Sequence, residues 1–156
     1  MNRRTFLLSI PALYALPSAQ AHHGWSSFDD SRPLYLEGVV KKVSWQNPHA
    51  ELVLEVSPDL KLPTDLAMRS VPAQSASLDA AAILAKTSLP RRKDREWRIE
   101  LAPITRMNQW KVAEIKVGER LSMVGYTSKD EQGEAVMRAE YLFRGATVTP
   151  LRSSPA

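Results

Sequence analysis

Five stretches of this chain carry strand-type patterning, and one short helix-compatible stretch falls between the third and the fourth. That order leaves few ways to bury the apolar side chains, because a half-apolar strand needs other strands to cover one face. The clearest stretch is 96–101, Glu-Trp-Arg-Ile-Glu-Leu, which alternates at period two as a half-buried strand does. Residues 34–45 are rich in β-branched and aromatic residues and read as a long strand, with Gly38 marking a bulge or sharp bend. In 50–56, Leu52, Leu54 and Val56 alternate with Glu51, Val53 and Glu55. Residues 120–126 and 135–143 supply the fourth and fifth strands, joined across the turn signal Asp130-Glu131-Gln132-Gly133. Residues 147–149 form a short ending. Thr105 is placed to cap a helix over 106–111. The reading is a mainly β fold, a small OB-like five-stranded barrel with a short helix. Such barrels do many jobs, so the fold names no function.

Residues 58–94 differ in character. Pro58, Pro63, Pro72 and Pro90 break them up, aromatic residues are absent, and Leu78, Ala81, Ala82 and Ala85 offer one weakly apolar helical face over 77–86. This is an insertion between two strands, partly helical and partly mobile, closed by the basic run Arg91-Arg92-Lys93-Asp94-Arg95. The expected organisation is one barrel domain over 22–150 with this insertion, then a disordered tail over 151–156.

Residues 1–21 read as a cleaved export signal. Arg3 and Arg4 precede an apolar run over 6–16, and Ala19-Gln20-Ala21 has the small-residue pattern of a cleavage site. Asn2-Arg3-Arg4-Thr5-Phe6-Leu7 is compatible with the twin-arginine route, an ordinary signal being the other reading. The apolar run is about half the ~20 residues that a membrane-spanning helix needs, so no transmembrane segment is expected in the mature chain. A periplasmic or secreted protein follows. Cleavage leaves 19 basic against 17 acidic side chains, a net charge of +2, too weak a bias to indicate nucleic acid. The chain has no cysteine, which excludes thiolate metal sites, iron–sulfur clusters and thiol redox chemistry.

His22-His23 near the cleavage site, Phe28-Asp29 after it, Leu36-x-Gly38-x-Val40, Trp45-x-Asn47-Pro48-His49, and Gly118 with Val124-Gly125 form a set of motifs. Together they resemble a family of small exported bacterial proteins classed as a domain of unknown function. The resemblance covers most of residues 22–148 apart from 58–94. It implies the fold and the address, and it supplies no activity.

Chemistry concentrates at the expected mature start. The chain has three histidines, and two of them, His22 and His23, lie there, the third being His49. A free N-terminal histidine can chelate a metal through its α-amine and ring Nδ1, and a distant histidine can add a third nitrogen. A nitrogen-rich set of this kind favours Cu(II). The metal ligands expected are therefore His22, His23 and His49, with Asp29 and Asn47 orienting them. Copper handling or delivery is the leading reading, with a metal-delivery or protein partner. The bland alternative is a solvated N-terminus and a histidine hydrogen-bonded beside its turn, with no cofactor. Zinc is a weaker competitor, and Met68, Met107, Met123 and Met137 are too scattered to form a thioether cluster. A different class of function is a non-catalytic barrel that binds a protein or glycan through Trp45, Trp97, Trp110 and Tyr126. A copper redox enzyme is a third.

Overall fold

A computed structural model describes residues 24–156. Residues 1–21, read above as an export signal, and His22 and His23 lie outside the described residues. Six strands form one sheet: β1 (Leu34–Ser44), β2 (Glu51–Val56), β3 (Glu96–Glu100), β4 (Arg120–Tyr126), β5 (Val136–Arg144) and β6 (Thr147–Pro150). Their order is β3-β2-β1-β4-β5-β6, and an additional parallel pairing of β3 with β5 closes the first five into a mixed barrel. The short 147–149 ending is thus a strand in its own right, laid antiparallel on the outer edge of β5.

β1 does the bending that closure requires. Its first half pairs with β4 and its second half with β2, and Gly38 and Val39 belong to both ladders. A Cβ on Gly38 would lie 2.0 Å from the Glu55 carbonyl oxygen, so only a glycine permits the β2 backbone to come this close. A register shift follows between Val40 and Lys42. A second register shift, between Val124 and Gly125, leaves Glu140 as the extra residue of β5. It flips the alternation of β5: Met137 and Ala139 join the barrel core before it, Leu142 after it.

The barrel interior is filled from each of β1–β5, by Leu34, Leu36 and Val40, Leu52 and Leu54, Trp97 and Ile99, Leu121 and Met123, and Met137. The helix between β3 and β4, α2 (Ile104–Gln109), contributes the fully buried Met107 to this core. α2 starts earlier than expected. Pro103, with φ −54°, is its cap and makes no side-chain cap bond, while Thr105 lies inside the helix. Proline presets the entry geometry and its carbonyl accepts from the Met107 N–H, so no hydroxyl cap is needed.

The insertion forms a second layer. Its helix α1 (Ala80–Lys86) is capped by the Asp79 side chain, which accepts from the Ala82 N–H. Leu84 of α1 and Leu66 of a 3₁₀ turn (Leu66–Met68) bury against Tyr35, Val124, Tyr141 and Phe143 on the outside of β1, β4 and β5. The tail, expected to be disordered, is instead tied down. Leu151 is buried, Ser153 N–H and Oγ donate to Gln74 Oε1, Trp110 Nε1 donates to the Ser153 carbonyl, and Ala156 N–H donates to the Ala73 carbonyl. A polar, proline-ended sequence hides this clasp, because its partners are backbone and amide groups of the insertion and an indole at the end of α2. No helix among the described residues is long and apolar enough to cross a membrane.

Candidate metal centre

Closing the barrel lines up outward-facing side chains from four strands. Glu51 of β2 is in register with Glu100 of β3, Glu100 with Arg138 of β5, and Arg138 with Tyr126 of β4. Partners in register share a face of the sheet, so these four side chains form one lateral row. His49 stands just before β2, held by reciprocal backbone bonds between Ala50 and the segment after β3: Ala50 N–H to the Ala102 carbonyl, Leu101 N–H to the Ala50 carbonyl. It is buried, and its Nδ1 lies 3.6 Å from Glu51 Oε1. Ligand atoms of His49, Glu51 and Glu100 all lie within 4.8 Å of one another. A single cation can bridge donors at that separation, and imidazole with two carboxylates suits first-row divalent metals.

Glu100 is 1% exposed, and Arg138 Nη1 donates to its Oε2 at 3.2 Å. Burial pulls the Arg138 guanidinium below its ordinary value. Glu100 opposes that fall, and the neighbouring charges of Arg106 and Arg152 add to it. Beyond Arg138, the row ends under the N-terminal arm, the residues 24–33 ahead of β1. The Trp25 ring centroid lies 4.8 Å from Arg138 Cζ and 3.6 Å from Arg152 Cζ, and the ring meets Tyr126 edge-on at 6.4 Å. Phe28, three residues on, is buried beside Tyr126 and Val136, and the Asp29 N–H donates to the Thr127 carbonyl. The arm is therefore anchored along the β4 end of the row. Arg152 also bonds Glu140, which is wholly buried; burial first of all pushes that carboxyl up, against the pull of Arg152 and Gln74. Burial, with Glu140 nearby, pushes the Tyr126 phenol up to about 12.

Of the residues expected as ligands, the structure places His49 in this group, and His22 and His23 lie outside the described residues. Of the two expected orienting residues, the Asp29 carboxylate accepts from the Ser31 N–H and hydroxyl, and Asn47 is exposed at the turn, in a cis peptide with Pro48. The sequence reading named neither Glu100 nor Glu51 as a ligand. Glu100 sits 51 residues from His49, and only strand pairing brings the two together. One signal was there: a charged residue in the strand 96–101, beside a strand that begins just after a histidine turn. Three of the scattered methionines, Met107, Met123 and Met137, fill the core, and Met68 is exposed. Trp97 and Tyr126 are buried, and the exposed large apolar side chains among the described residues, Leu62, Met68, Leu78 and Val117, include no aromatic.

Residues 12–68 match a family of unknown function, DUF6152. The match spans the arm, β1, β2 and His49, and stops short of Glu100 and Arg138. No curated protein and no solved structure matches the chain.

Proposed function

We propose that this chain is an exported metal-binding module that takes up and hands on copper. His49, Glu51 and Glu100 are the donors on the barrel, and His22 and His23 join them from the arm. The observation that carries the reading is the convergence of one imidazole and two carboxylates within 4.8 Å at the β2–β3 end of the row. The dock of Trp25 over Arg138, the partner of Glu100, supports the part given to the arm. His22 is three residues before Trp25, and an extended chain covers at most about 11 Å in three residues. The row is of that order of length, since neighbouring strands lie about 4.8 Å apart.

The arm also tunes the choice of metal. His49 with two carboxylates is a mixed set that accepts zinc readily. Adding the His22 amine and imidazole makes nitrogen the majority donor, which widens the lead that Cu(II) has in the affinity order. Protein with its natural His22 start, titrated with Cu(II), is expected to give a one-equivalent EPR signal with nitrogen coupling. His49→Ala and Glu100→Gln each remove it while leaving the barrel folded by circular dichroism. Wild-type-like copper binding by His49→Ala would sink the reading. A tag ahead of His22 is expected to shift selectivity toward zinc.

A further inference from the structure

Glu100 is almost wholly buried, and a buried carboxylate without a counter-charge is strongly destabilising. In the fold described, Arg138 supplies that charge at 3.2 Å, from the matching register position of the neighbouring strand. A divalent ion held by His49, Glu51 and Glu100 neutralises the same carboxylate. It also repels the guanidinium, since like charges gathered on one carboxylate away from bulk water are poorly screened. Metal and arginine therefore compete for one acid.

We propose that Arg138 is a built-in counter-ion of Glu100, which a divalent metal must displace, so that Arg138 sets the affinity of the His49–Glu51–Glu100 group by opposing it. This rests on the metal-binding reading above. The fold also gives the displaced guanidinium somewhere to stay: the Trp25 ring, 4.8 Å from its Cζ, holds a cation without needing Glu100. Metal loading thereby alters the contact that anchors the arm, and Trp25 becomes its optical reporter.

The test uses Zn²⁺ on the full mature chain, because Cu²⁺ quenches indole fluorescence whatever the geometry. Arg138→Gln removes the charge and keeps a polar side chain. It is expected to bind Zn²⁺ at least tenfold more tightly than wild type, while the metal-free variant melts at a lower temperature and recovers on zinc addition. Arg138→Lys keeps the charge and is expected to stay within about threefold of wild type. Equal or weaker zinc binding by Arg138→Gln overturns the inference and leaves Arg138 a supporting group. Should Arg138→Gln fail to fold, wild-type fluorescence decides: a change saturating at one equivalent of zinc, absent in Trp25→Phe, supports the exchange, and a flat signal with zinc bound overturns it. If neither wild type nor Arg138→Gln binds zinc or copper, the metal reading itself fails.

Discussion

Gly38 and Gly118 show how differently two glycines constrain one chain. At Gly38 the added methyl of alanine would meet the Glu55 backbone 2.0 Å away, and neither strand can yield without opening the ladder. Gly118 has φ +91°, and a Cβ added there would find nothing within 4 Å, so alanine meets only left-handed strain. Gly118→Ala is expected to cost about 1–2 kcal/mol. Gly38→Ala is expected to exceed the usual overpacking cost of ~1–3 kcal/mol. Urea unfolding of the two variants checks the order, and similar midpoints would refute the close-approach argument. Gly38 was legible as an exception inside a β-branched strand, but the register shift falls between Val40 and Lys42, and Gly38 itself serves the close approach of β2. Glu100 was not legible as a site residue, since alternation marks it as outward-facing and says nothing of what lies across from it.

At the scale of elements, one carboxylate joins three segments. Glu131 receives the guanidinium of Arg32 from the arm and the backbone N–H groups of Arg91 and Arg92 at the end of the insertion. It does so from the β4–β5 loop, where Asp130 and Glu131 both hold positive φ, 56° and 57°. Burial alone would raise its carboxyl, but the bonds from Arg32, Arg91 and Arg92 outweigh burial and hold it below the ordinary glutamate value. A depressed native value means that the latch contributes fully above the unfolded-state value and is lost as pH falls through the native one. Glu131→Gln is therefore expected to be less stable than wild type at neutral pH, with a shallower loss of stability under acid. Parallel acid limbs in Trp-fluorescence titrations would refute this. The basic run 91–95 accordingly has a structural part: Arg92 also donates to the carbonyls of Glu131, Gly133 and Glu134. The charge of the run does not reveal this part, because backbone acceptors leave no trace in a sequence.

Over the whole molecule, the insertion and the tail make a coat over one side of the barrel, and the tail is its clasp. Arg152 is central, bonding Glu140 at 2.6 Å and lying over Trp25. Arg152→Ala leaves a buried carboxylate with its main counter-charge removed, and is expected to cost about 2–4 kcal/mol, discounted because Arg152 is partly exposed. Because burial raises Glu140, its ionised form opposes folding, and the penalty in this variant grows as pH rises through the native value. Removing residues 151–156 is expected to expose the insertion to trypsin at Arg69 and Lys86 before the barrel is cut. Simultaneous cleavage of barrel and insertion would show that the tail is not a clasp.

Local pattern was enough to set the five barrel strands, their order along the chain and the helix between β3 and β4, because period-two alternation and turn residues act over a few neighbouring positions. It also marked His49, through its scarcity and its place beside a turn. Which side chains meet His49, and what covers the outer face, were settled by the folded barrel alone. Closure of β3 on β5 places Glu51, Glu100, Arg138 and Tyr126 in one row from four separate segments, and a register between distant strands is set by packing of the whole barrel. The insertion likewise carried no strong local pattern. Its order comes from covering Tyr35, Tyr141 and Phe143, an apolar face that exists only once the barrel has formed.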